Sequence, residues 1–239
     1  MTLSDAVEIF VEAFSREKSR TYPYVPTQLE PWLWVMQDTP DRKKARKREV
    51  ISISGDPVRT VERVAREGIG WHFVCEIHTP DIEFAQIREE YKRLGYRAIS
   101  TEWLFVHPLA DLPPRVQGIE VIKIESQEAM ATIPQTASQK RQLMEGTTKF
   151  AIHDVSQDLG WVTHVPTQGG DWVSSLWVRP EYRGRGFGRA LMTELLHHAS
   201  EQGDVASVLL ATADGARLYP KLGYQQMAVL QMFCPASRG

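Results

Sequence analysis

The 239-residue chain predicts an α/β protein of the α+β type in two parts, on three observations. The stretch "HPLADLPPRVQG", His107 to Gly118, sets three prolines between two patterned regions and reads as a linker. On both sides of it a strand, a helix, a stopping glycine and a second strand follow in the same order. They carry the near-identical hexapeptides "YKRLGY" at 91–96 and "YPKLGY" at 219–224. Finally, "LWVRPEYRGRGFGRALMTELLHHA" at 176–199 joins an apolar strand to a helix through Gly184, Gly186 and Gly188. The expected parts are an N-terminal α/β domain over 1–112 and a second domain over 117–239.

Taken in order, Ala6, Val7, Ile9, Phe10, Ala13 and Phe14 recur at helical spacing, after which "TYPYVPTQLEP" breaks the pattern into a loop. Asp56-Pro57 opens a second helix, a capping side chain followed by proline at the first helical position, with Val58, Val61 and Val64 on one face. "WHFVCEIH" is strand-like, "DIEFAQIREEYKRL" is helical, Gly95 stops it and "STEWLFVHP" is again a strand. Downstream, "VASVLLATA" is an apolar strand, "DGARLYPKL" a short helix that Asp214 can cap, Gly223 the stop and "QMAVLQMFC" the last strand.

Composition narrows the function classes. With 42% hydrophobic and 24% charged residues the chain is a soluble globular type, and a net charge of −2 provides no basic field for nucleic acid or anionic membrane. Cys75 and Cys234 are its two thiols, no basic-then-apolar leader opens the sequence, and no apolar run approaches about 20 residues. A reducing cytoplasm is the expected compartment. "RKKARKR" at 42–48 reads as a solvated helix face or, less simply, a contact for phosphate or an acidic protein. Trp32 and Trp34 read as packing or as a pocket lining. His197 and His198 face different ways on a helix and the other histidines lack ligand spacing, so no metal is expected.

The glycine-rich stretch carries the chemistry. Its glycines precede a helix, where unpartnered N–H groups and the positive end of the dipole hold a phosphate, and Arg183 and Arg185 add charge for a pyrophosphate. Neither the G-x-G-x-x-G spacing nor the Gly-Lys-Ser/Thr ending of other phosphate loops is present. Over roughly residues 117–239 the sequence resembles the GCN5-related N-acetyltransferases, whose acyl-coenzyme A signature is matched by Arg183, Gly186 and Gly188 within "VRPEYRGRG", with "LYPKLGY" in the family's order.

The resemblance implies a central mixed, mostly antiparallel sheet flanked by helices, and transfer of acetyl or another acyl group from acetyl-CoA to a primary amine by direct attack. Its first strand would be "IEVIKI", then the hairpin "KFAIHDV" and "GWVTHV", then "DWVSSLWV" beside the coenzyme. It places the backbone of Leu176 and Val178 on the pantetheine arm. Arg183, Gly184, Arg185, Gly186, Phe187, Gly188 and Arg189 would surround the pyrophosphate, with Asp214 near a coenzyme contact but about a residue out of register. Tyr219 would be the general acid for a thiolate of pKa about 8.5, while an amine of pKa about 10 needs a base. The coenzyme-side strand offers two serines and no carboxylate, which leaves Asp171 at its start and His164 on the preceding strand as candidates. Asp171 also reads as a turn residue and His164 as a packed strand histidine.

Two departures stand out. Pro220 follows Tyr219 inside the short helix, and only 125–149 separate the first strand from the hairpin, where the family fits two helices bordering the acceptor. The N-terminal half, which has no Arg-x-x-Gly-x-Gly loop, reads as a degenerate second copy that completes the acceptor side. The function expected is N-acetyl transfer to a small-molecule or protein amine. A catalytically inactive coenzyme A binder and a protein-interaction module are the alternatives.

Overall fold

The computed structural model describes residues 1–18, 26–37, 48–133 and 143–237. The chain forms two compact units. The first comprises Met1–Leu104, Leu210–Asp214 and Gln226–Gly239, and the second Phe105–Leu209 and Gly215–Gln225.

In the first unit, helix α1 (Leu3–Lys18) buries Ala6, Val7, Ile9, Phe10 and Ala13, the stripe expected from their spacing. Strands β1 (Thr27–Glu30), β2 (Leu33–Met36) and β3 (Arg48–Ser52) pair antiparallel in succession. Helix α2 (Pro57–Arg66) then carries the chain to β4 (His72–His78), which lies parallel to β3. Asp56 caps α2 as its sequence indicates, accepting from the Arg59 N–H at 3.1 Å. The buried face of α2 differs from the valine stripe: Pro57, Thr60 and Val64 are buried while Val58 is exposed. Thr60 turns inward because its hydroxyl lies 3.3 Å from the Glu76 carboxylate. Helix α3 (Phe84–Arg93) leads into β5 (Tyr96–His107).

The loop expected at 21–31 contains β1 in its second part, and Arg48, the end of the basic run, opens β3; residues 21–25 and 42–47 lie outside the described residues. Both Trp32, partly buried against the core, and the buried Trp34 pack in this unit. Cys75 and Cys234 are both buried free thiols.

In the second unit β6 (Ile122–Ile124), β7 (Thr148–His153), β8 (Asp158–Thr167) and β9 (Gly170–Val178) run antiparallel one after another. Helix α4 (Gln127–Thr132), capped by Ser126, is the described helix between β6 and β7. From β9 the chain passes through a 3-10 turn (Pro180–Tyr182) into helix α5 (Phe187–Gln202) and then β10 (Ser207–Ala211), parallel to β9. The short helix expected over 214–222 is instead two 3-10 turns, Gly215–Arg217 and Tyr219–Leu222, because Pro220 has no N–H for an α-helical bond. No α-helical N-terminus forms there for Asp214 to cap. Strand β11 (Gln225–Pro235) ends the chain, and residues 229–233 of it pair antiparallel with β4, inside the first unit.

The two units share one order: a run of antiparallel strands, β1–β3 in the first and β6–β9 in the second, then a helix, a strand parallel to the last of the run, and a hexapeptide turn. The turn has one geometry in both. Tyr91 and Tyr96 lie edge to face at 5.5 Å and 69°, and Tyr219 and Tyr224 at 5.6 Å and 69°. The Tyr96 hydroxyl bonds His72, the first residue of β4, at 3.0 Å, and the Tyr224 hydroxyl bonds Ser207, the first residue of β10, at 2.8 Å. The spacing Tyr-x-x-Leu-Gly-Tyr therefore builds the same aromatic corner twice. Among the described residues no helix is long and apolar enough to cross a membrane.

Candidate active site

Strand β9 positions most of the candidate residues, and it is irregular where that counts. It starts tight: a Cβ on Gly170 would stand 2.5 Å from the Ala206 carbonyl oxygen, so only glycine lets the chain turn in beside β10. Asp171 N–H donates to that same carbonyl at 2.8 Å. The parallel pairing of β9 with β10 then lasts for two positions, Asp171 with Ser207 and Trp172 with Val208.

Farther along β9, Trp161 of β8 pairs with Trp177 and Thr163 with Ser174, so Val162 alone faces both Ser175 and Leu176. This is a β-bulge, and Ser175 holds the left-handed conformation, φ 58°, that bends the strand. Beyond the bulge, Arg179 N–H donates to Leu159 on the β8 side at 2.9 Å. Backbone groups alternate along a strand, so Leu176 and Val178 turn theirs to the opposite edge, away from β8. The Val178 carbonyl there accepts from Arg183 Nε at 3.0 Å.

Helix α5 begins at the end of this edge. Its N-cap, Gly186, is left-handed at φ 89° and has no side chain to cap the first amides of α5. Arg183, Gly184, Arg185, Gly186 and Arg189 are exposed, Phe187 and Gly188 half-buried. A Cβ on Gly188 would be in contact with Leu218 and Val178, which brings the loop, the end of β9 and the turn before Tyr219 together. Arg185 lies over the Tyr182 ring at 5.0 Å, and Tyr182 stacks with Phe187. An uncapped helix N-terminus, exposed arginines and glycines that admit close approach fit a pyrophosphate.

Tyr219 is buried against Phe105 at 5.7 Å and Tyr224, and burial alone pushes its hydroxyl up to about 12. Its hydroxyl makes no hydrogen bond among the described residues. It therefore carries its proton throughout the neutral range. Phe105 and His107, the end of β5, belong to this unit, with His107 edge-on to Tyr224 at 5.2 Å.

Asp171 and His164 are brought together. Asp171 is wholly buried, accepts from the Ser207 hydroxyl at 2.6 Å, and lies 3.6 Å from His164 Nε2, which itself bonds Asp204 at 2.9 Å. Burial raises the Asp171 carboxyl to about 7, against the pull of His164 and Ser207. Burial pulls His164 down, but its bond to Asp204 and the two carboxylates outweigh that and raise it. The His198 ring meets His164 edge-on at 4.8 Å. The line Tyr224, Ser207, Asp171, His164, Asp204 is a continuous buried polar chain beside Tyr219. Ser207 and Asp204 had no signal in the sequence beyond standing at the start of an apolar strand. Asp214 belongs to the first unit and is exposed. Among the described residues no group of three His, Cys, Asp or Glu is arranged to hold a metal ion.

Residues 146–226 match the family model described as Acetyltransferase (GNAT) domain. The fold is that of the GCN5-related N-acetyltransferases. A GCN5-related N-acetyltransferase from Kribbella flavida is 14% identical, with 99% of this chain and 97% of that one covered and a TM-score of 0.65. One from Sphaerobacter thermophilus is 17% identical over 84% of this chain and 76% of that chain, TM-score 0.57. A GNAT-family protein from Novosphingobium aromaticivorans, described as a putative acetyltransferase, is 14% identical over 94% and 97%, TM-score 0.54. No curated protein matches the chain. In GNAT terms the opened β9 edge and the α5 N-terminus both lie within the matched segment.

Proposed function

We propose that the protein is an N-acyltransferase that moves the acetyl group of acetyl-CoA to a primary amine by direct attack. The observation that carries this reading is the edge of β9, which parts from β10 after two paired positions, bulges at Ser175 and Leu176, and ends at an uncapped helix N-terminus. When bound, acetyl-CoA supplies an acyl group already activated as a thioester. The loop amides with Arg183, Arg185 and Arg189 hold its pyrophosphate. The backbone of Leu176 and Val178 holds the pantetheine arm, and an N–H of the bulge donates to the oxygen on which negative charge develops.

The attacking amine must lose a proton. Asp171 accepts it in its ionised form; it is wholly buried with His164 on the α5 face of the sheet, so the proton reaches it by water through the gap that opens where β9 parts from β10. Tyr219 keeps its proton at neutral pH and gives it to the leaving thiolate. The amine belongs to a small molecule or a protein.

A thiol-release assay with acetyl-CoA and a panel of amines tests the proposal. Release should depend on the amine and saturate with it. A protein that binds acetyl-CoA yet releases no thiol with any amine would be a binder and not a transferase.

A further inference from the structure

Across β7, β8 and β9, two rows of side chains lie on the face opposite α5. Lys149 pairs with Thr163 and Thr163 with Ser174; Ala151 pairs with Trp161 and Trp161 with Trp177. Alternation along each strand puts both rows on one face. That face packs against α4, since Met130 and Ile133 cluster with Ala151 and Trp161, whereas Phe150 meets His198 of α5 on the other side. The Ser175–Leu176 bulge separates Ser174 from Trp177, so it stands at the β9 end of these rows.

Lys149 is the anomaly in this patch. It is 6% exposed, its ammonium makes no hydrogen bond or ion pair among the described residues, and it sits over the Trp161 ring at 5.4 Å. Trp161 stacks on the half-exposed Trp177 at 4.1 Å, and Arg179 lies over the far ring at 5.9 Å. Burial lowers Lys149 to about 8, with the Asp158 charge opposing. A desolvated ammonium with no anion in contact is costly unless something supplies the anion.

We infer that Lys149 and the Trp161–Trp177 stack form the acceptor subsite, and that the acceptor is a small amine bearing a carboxylate, as in an amino acid. This rests on the acyl-transfer reading of the β9 edge. Lys149 pairs with the carboxylate over Trp161, the stacked rings cover the apolar part of the acceptor, and the amine points along the row toward the bulge. Neighbouring strands are about 4.8 Å apart, which an amine a few bonds from its carboxylate spans between β8 and β9.

Matched pairs test this: phenylalanine against phenethylamine, and glycine against methylamine. They are titrated by intrinsic tryptophan fluorescence and assayed by thiol release with wild type, Lys149→Met and Lys149→Arg. Thermal melting checks that each variant is folded. The wild type should bind and use the carboxylated member at least tenfold better in Kd and KM. Lys149→Met should erase that preference, leave KM for the decarboxylated member within about twofold, and keep kcat; Lys149→Arg should restore the preference in part. Thiol release without a carboxylate preference, or a Lys149→Met variant that loses both members equally, overturns the subsite. A fluorescence preference with no thiol release from any amine keeps the subsite and overturns the transferase.

Discussion

The two units answer the same construction differently. In the first, β3 and β4 stay paired through five positions, Arg48 with His72 to Ser52 with Glu76. In the second, β9 and β10 part after two. Helix α2 is closed by the Asp56 side chain and Pro57, with the Gly55 N–H just ahead donating to the buried Glu76 at 2.8 Å. Helix α5 starts from a bare Gly186. Tyr91 donates its hydroxyl to Glu76 at 2.8 Å, whereas the hydroxyl of Tyr219 has no partner among the described residues. Two polar features that the first unit closes internally, the helix N-terminus and the first tyrosine of the hexapeptide, are left without such a side-chain partner among the described residues of the second. The frame does not make the site. On the proposed reading, the parting of β9 from β10 after two positions does.

The comparison breaks most readily at the base. Asp171→Asn should lower kcat by about 10²-fold or more, because an amine of pKa near 10 gives up its proton far less readily than a thiolate leaves. As the proposed base, Asp171 would serve only when ionised, so wild-type kcat should rise as pH passes upward through about 7, and the variant should lose that limb. A stopped pH profile in both proteins checks the sign.

Paired tyrosine changes sharpen the contrast. Tyr219→Phe should reduce kcat by about 10-fold with KM for acetyl-CoA unchanged, a smaller loss because the thiolate is already a fair leaving group at neutral pH. Tyr91→Phe should leave turnover alone but remove a donor from the buried Glu76 carboxylate, at a cost of about 1–3 kcal/mol in denaturant unfolding. Equal effects of the two changes on turnover would mean that both units contribute chemistry.

The smallest effect belongs to the closed helix. Asp56→Ala should cost about 1 kcal/mol of stability through the lost Arg59 N–H bond and should not alter acetyl-CoA affinity.

Much of this architecture was readable beforehand. Asp56-Pro57 at the start of α2, the apolar strand that ends at Val178 and the glycine loop before α5 are local signals. What was not readable depends on distant partners. Strand β1 lay hidden behind prolines and β3 behind a basic run. The bulge falls on Ser174-Ser175-Leu176, which has no glycine to announce it. Thr60 faces inward only because Glu76 is opposite. Lys149 looks like an ordinary solvent-facing lysine until the fold buries it over the Trp161 ring. The membership of residues 226–239 in the first unit is a matter of topology that no local pattern encodes.

Titration calorimetry with acetyl-CoA distinguishes a second unit open to coenzyme from a first unit closed to it. The account predicts one acetyl-CoA per chain, with affinity reduced at least 100-fold in Gly186→Trp, where a left-handed position is filled by a large side chain in the phosphate loop. Two molecules per chain, or full affinity in Gly186→Trp, would contradict it.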